Sequence, residues 1–199
     1  MTKRYPIFKS IFGAAWKTLP PVLQKHYANR PYSNDVTTVR GKLDVMSKNP
    51  AKLIAPLLNL LGLIPLRNET GVPVTVEFAS KPSSAEFQFN RVFNFQKANP
   101  HAFRSHMVQI RDNKVAEIMT FGFTWKMQFE WDGENIILRH DGYALYVFGC
   151  LLPLPLTFLL GSGYAVETAV DQDSFDMSVE VRHPWWGVIY GYKGRFTFE

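Results

Sequence analysis

Phe123-Thr124-Trp125-Lys126-Met127-Gln128-Phe129-Glu130-Trp131 decides the fold class, because every second residue is large and apolar and every residue between is polar. An extended chain points alternate side chains to opposite faces, so this stretch makes a strand with one dry face and one wet one. A helix would scatter the same residues around its circumference. The Asp132-Gly133 pair that follows suits a two-residue turn with positive φ, and Asp112-Asn113 marks an earlier turn of the same kind.

The same period runs outward in both directions. Towards the N-terminus it carries Val39, Leu43 and Val45, then Val72, Val74, Val76 and Phe78, then Phe87, Phe89, Phe93 and Phe95. Towards the C-terminus it carries Phe175, Met177, Val179 and Val181, and finally Trp186, Val188, Tyr190, Tyr192, Phe196 and Phe198. The pattern predicts a mainly β chain with a minority of helix: about nine antiparallel strands in a meander. A sheet with one apolar face must curl or be covered, which points to a β-barrel or a strongly curved half-barrel with short N-terminal helices against its open side.

Those helices are read from Ile7, Phe8, Ile11, Phe12, Ala15 and Trp16, whose spacing predicts an amphipathic helix over 6–18, and from Pro21, which suits the first turn of a second helix over 21–27. Single-domain organisation over 1–199 is expected, with a helical segment at 1–30 and a barrel-like body at 35–199. Two insertions interrupt that body. A leucine-rich stretch at 50–64 fits a short helix, and the apolar stretch at 149–163, with Pro153 and Pro155 between flanking glycines, reads as a lid-like segment or a core crossover.

Of 199 residues 46% are hydrophobic and 20% charged, enough to build a core and too apolar for disorder. Residues 1–52 hold ten Lys/Arg against Asp35 and Asp44, so the net charge of +5 belongs to the first quarter of the chain. These charges are spaced as on a solvated helical face. Contact with a lipid surface through that basic segment is the competing reading, and nucleic acid is not expected. Cys150 lies among Val147, Phe148, Leu151 and Leu152, where a buried, inert thiol is expected. One cysteine, no adequate secretory signal and no apolar run of spanning length together predict a cytoplasmic protein, with a peripheral place at the inner membrane surface as the variant.

No phosphate-binding glycine loop, nucleophile elbow or metalloprotease motif occurs, and His26, His101, His106, His140 and His183 show no paired ligand spacing. No metal and no cofactor are expected. The anomaly is Arg91, which alternation places on the inward face among Phe87, Phe89, Phe93 and Phe95. A buried guanidinium requires a partner. Glu117 is one candidate, on a face with Val115, Met119 and Phe121. Glu167 is another, although its strand has the stronger apolar face on Tyr164, Val166 and Val170. Arg139 and Asp141 offer a second pair inside the sheet. Arg91 either fixes strand register within a polar network or binds the carboxylate or phosphate of an apolar ligand.

Phe12-Gly13, Trp16, Leu19-Pro20 and His26, then Arg91 with Phe93, Phe103-Arg104-Ser105 and Glu117, and later Asp141-Gly142, Gly149, Pro153, Pro155, Gly161, Glu167, His183-Pro184, Gly187 and Tyr190-Gly191-Tyr192, are similar in order and spacing to a bacterial family known as domain of unknown function 4166. Phe89 departs from the tryptophan expected there. The resemblance implies no activity. Related domains stand alone or follow a dehydrogenase-like nucleotide-binding domain, which this chain lacks.

The reading from sequence is therefore binding of a lipid-like small molecule in a barrel, at Arg91, Glu117, Glu167, Phe89, Phe93, Tyr190 and His26. The alternatives are an enzyme using Glu117, Glu167, His26 or Tyr190 as acid or base, and a membrane-surface or protein-interaction module built on the N-terminal helix.

Overall fold

A computed structural model of the chain describes residues 5–48 and 66–199; the leucine-rich insertion at 50–64 lies outside the described residues. The strands are β1 (Val36–Ser47), β2 (Glu69–Ala79), β3 (Phe87–Phe93), β4 (His101–Arg111), β5 (Lys114–Ile118), β6 (Phe123–Trp131), β7 (Asn135–Val147), β8 (Cys150–Leu154), β9 (Ser162–Ala169), β10 (Ser174–His183) and β11 (Gly187–Phe198). Each strand from β1 to β7 pairs antiparallel with the next, β9 to β11 continue the meander, and β11 returns to β1 in register from Val39↔Phe198 to Ser47↔Tyr190. The first half of β7 pairs with β9 and its second half with β8. Ten strands thus close a barrel, and β8 is a flap on its wall. The count exceeds the nine or so expected, and one of the added strands is β8, formed by the proline-bearing stretch after Gly149 and confined to the sheet's margin where a missing N–H is tolerated.

Alternation holds as predicted. Val39, Leu43, Val76, Phe78, Phe87, Phe93, Phe103, Met127 and Phe129 are buried, whereas the intervening Arg40, Lys42, Asp44 and Glu77 face outward. A charged exterior around an apolar interior is the inverse of a membrane-spanning barrel. Among the described residues no helix is long and apolar enough to cross a membrane.

The N-terminal segment closes one end. Helix α1 (Ile7–Phe12) tightens into a 3-10 turn over Gly13–Lys17, and α2 (Pro21–His26) follows. Phe8 has no solvent exposure and meets Phe87 and Phe129 at ring-centroid distances of 5.0 and 5.3 Å, so this segment is a plug inserted into the barrel. Its apolar face is spent on the core and is not presented to a lipid surface.

Several details differ from the sequence reading. Cys150 is exposed, because it starts the flap beside the hairpin turn at Phe148-Gly149. Trp186 is about half exposed and lies in the turn before β11, outside the core stripe. Phe121 is exposed because β5 stops at Ile118. Tyr164 and Val170 point outward and Glu167 inward, the reverse of what the apolar count on β9 implies. Arg139 and Asp141 do not pair with each other: Arg139 binds Glu130 at 2.7 Å and Asp141 binds Lys114 at 3.0 Å, both on the outer surface.

Candidate functional site

The inward stripe of β3 carries Arg91 between Phe89 and Phe93, and register sets it opposite Phe103 of β4. Its guanidinium carbon stands 3.8 Å from the ring centroid of Phe89 and 3.7 Å from that of Phe103, a cation held between two aromatic faces. One terminal nitrogen, Nη2, donates to Ser105 Oγ and to Glu117 Oε1, each at 2.6 Å, and Ser105 Oγ donates to the same carboxylate oxygen at 2.6 Å. Arg91 is 5% exposed and Glu117 3%, so the pair is fully within the barrel. Glu117 is the partner, and Glu167 belongs elsewhere. Arg91 Nε has no partner among the described residues.

A second cluster lies on another wall. Glu167 of β9, 1% exposed, accepts a 2.8 Å hydrogen bond from the Tyr27 hydroxyl, which the plug delivers just after α2. Burial pushes the Glu167 carboxyl up to about 7, against a smaller opposing effect of the Tyr27 bond. His26 Nδ1 is 3.8 Å from the same carboxylate, but the ring lies among Tyr27, Phe78 and Phe175, and burial drives its pKa down to about 3. Both groups are therefore driven towards their uncharged forms, and their approach is not an ion pair. His26 Nδ1 also lacks a hydrogen-bond partner among the described residues.

The two clusters line one enclosed cavity of about 30 Å³, with His26, Tyr27, Phe89, Arg91, Glu117 and Glu167 in its wall. That volume suits a single water molecule. Tyr192 lies between the clusters; burial raises its hydroxyl to about 12, with Arg91 opposing and Glu117 and Glu167 reinforcing. A smaller void of about 10 Å³ adjoins Phe93 and shares His26, Phe89, Arg91 and Tyr192. Of the residues expected from sequence, Arg91, Glu117, Glu167, His26 and Phe89 line the first cavity and Phe93 the second. Tyr190 lines neither: it is buried next to Tyr192 with its hydroxyl unpartnered among the described residues. Sequence reasoning missed Ser105, Phe103, Tyr27 and Tyr192. The first two share the inward period of β4 and Tyr192 that of β11, whereas Tyr27 had no signal beyond its place beside His26.

A family model described as "Domain of unknown function (DUF4166)" matches residues 19–196. The chain belongs to this family. The match spans α2, β1 to β10, nearly all of β11 and both polar clusters. No curated protein matches the chain. Among solved structures, the crystal structure of Rv2717c from M. tuberculosis is similar at 13% identity, covering 94% of this chain and 98% of that one, with a TM-score of 0.48. Among the described residues no group of three or more His, Cys, Asp or Glu side chains is placed to hold a metal ion.

Proposed function

We propose that the barrel interior binds a small apolar carboxylate, lipid-like in character, with Arg91 as the anchor of its head and the N-terminal plug as its cover. The observation that carries this reading is the convergence of Arg91, Glu117, Glu167, Tyr27 and His26 on one enclosed cavity in a core that is otherwise mostly apolar and rich in phenylalanine. A buried ion pair adds little net stability compared with apolar residues of similar volume, so a core that keeps one has another use for it. Arg91 Nε is a buried donor available to a carboxylate, and the aromatic faces around it suit an apolar chain. Because the closed cavity has room for about one water, entry requires the plug to shift outward, which breaks the Tyr27–Glu167 bond. Carboxylate binding is then linked to that contact.

The test is native mass spectrometry of the purified protein, before and after titration with sodium dodecanoate. One carboxylate per chain, co-purified or acquired, is the expected result. A chain that carries none and acquires none at millimolar dodecanoate overturns the reading.

A second reading, acid–base chemistry on the bound molecule, is favoured by Glu167, whose pKa near 7 allows it both to hold and to release a proton near neutral pH. If it is correct, Glu167→Gln retains co-purified ligand chemically different from that retained by the wild type. Identical ligand in both proteins removes it.

A further inference from the structure

We propose that the barrel end opposite the plug docks on an anionic lipid surface, through strained aromatic loop tips and the lysine and arginine side chains beside them. The surface involved lies apart from the interior site.

Three loops and a short helix meet at that end: the 3-10 turn Thr120–Gly122 before β6, the β7–β8 turn at Phe148-Gly149, helix α3 (Thr157–Leu160), and the turn between β10 and β11. Each presents large apolar side chains to solvent. Phe148 is 101% exposed, Phe121 73%, Trp185 67%, Phe158 59%, Leu152 52% and Trp186 48%. Two local pairings are seen: the Phe158 and Trp185 rings are 4.4 Å apart, and Gly122, next to Phe121, abuts the backbone of Tyr146, two residues before Phe148. Isolated exposed apolar residues need no explanation, but six large ones gathered at one end of a barrel mark a contact surface.

The backbone supplies the second observation. Phe121 and Phe148 have φ of 55° and 48°, a conformation costly for a bulky side chain and natural to Gly or Asn, and each is followed by a glycine that also has positive φ. Among the described residues neither ring stacks on another ring. The strain thus presents two phenylalanines outward with no return inside the fold.

Charge then chooses the occupant. Lys48, Arg67 and Lys97 lie on the same rim, exposed and without ion pairs among the described residues, against the single acid Glu69 in the same loops. Lys48 is tied to the patch, its N–H bonding the Ile189 carbonyl near the start of β11. Separate protruding tips bearing Trp and Phe, flanked by unpaired cations, fit the headgroup layer of an anionic bilayer better than the flat face of a protein partner.

The experiment is co-sedimentation with phosphatidylglycerol–phosphatidylcholine vesicles, at low salt and in 0.5 M NaCl, for the wild type and for F121N/F148N. Asn tolerates positive φ, so the variant keeps the fold, and circular dichroism checks that it does. Wild-type binding that weakens at high salt, together with at least tenfold weaker binding by the variant, is expected. Absence of wild-type binding, or equal binding by the two proteins, overturns the proposal. So does a concentration-dependent dimer without lipid that F121N/F148N dissolves, because the patch is then a protein interface.

Discussion

The two polar clusters inside the barrel face one cavity but solve the problem of burial differently. Around Arg91 a cation meets an anion, with Ser105 bridging them and two aromatic faces covering the guanidinium. Around Glu167 there is no cation: the acid is met by a tyrosine hydroxyl and a neutral imidazole, and it responds by holding its proton up to about pH 7. The first cluster is matched in charge and made within neighbouring strands. The second is matched only in hydrogen bonding, and it depends on the plug staying in place. The contrast teaches that one core can bury polarity in two ways, by pairing charges in one place and by neutralising them in another.

The largest expected effect comes from breaking the matched cluster on one side. Arg91→Leu leaves Glu117 buried without its counter-charge, and urea denaturation is expected to show a loss of about 3–5 kcal/mol. A loss below about 1 kcal/mol means that the pair is not buried as described.

Next comes the pH dependence of the unmatched cluster. Glu167 titrates near 7 when folded and near 4.5 when unfolded, so its burial costs nothing below pH 4.5, an increasing amount from pH 4.5 to 7, and a constant amount above that. The full penalty is roughly 3 kcal/mol. His26 has the opposite sense: its folded pKa of about 3 lies below the ordinary 6.5, so stability falls as pH drops from 6.5 towards 3. The two slopes cancel between pH 4.5 and 6.5. Removing one exposes the other: the stability of Glu167→Gln relative to wild type is expected to improve steadily from pH 4.5 to 7 and then level off. A difference independent of pH contradicts the protonated acid.

A smaller change follows from Tyr27→Phe, which removes the hydroxyl that holds the plug to β9. About 1–2 kcal/mol is expected from the lost buried hydrogen bond. Faster amide exchange in α2 is expected as well, because that bond ties the plug to the wall. Unchanged exchange there argues that the bond does not hold the plug. The smallest effect belongs to R91M/E117L, which exchanges the whole ion pair for apolar side chains. Its stability is expected within about 1 kcal/mol of wild type, since replacing both partners removes the desolvation cost together with the attraction. A loss of several kcal/mol instead identifies the pair as the structural pin of β3 to β5.

How far each cluster was legible in the sequence follows from the same contrast. Period two along β3 and β5 places Arg91 and Glu117 on inward faces without any knowledge of the fold, and short connections bring those strands within two places of each other. Glu167 was harder. Its strand carries larger apolar residues on the outward side, Tyr164 and Val166, so counting them points the acid the wrong way; small Gly163 and Ala165 face inward because the Trp125 indole fills the space beside Gly163. Tyr27 joins it across 140 residues, through a helix entering the barrel, and no local pattern encodes such a contact. The exposure of Cys150 was missed for a related reason: an apolar run reads as core unless the surface it lies on is known.

Calorimetric titration of R91M/E117L with dodecanoate decides whether Arg91 is kept for a ligand or for the fold. At least tenfold weaker binding than wild type, in a protein of wild-type stability, is the predicted result. Undiminished affinity in the double variant would contradict it and leave the buried pair as part of the scaffold alone.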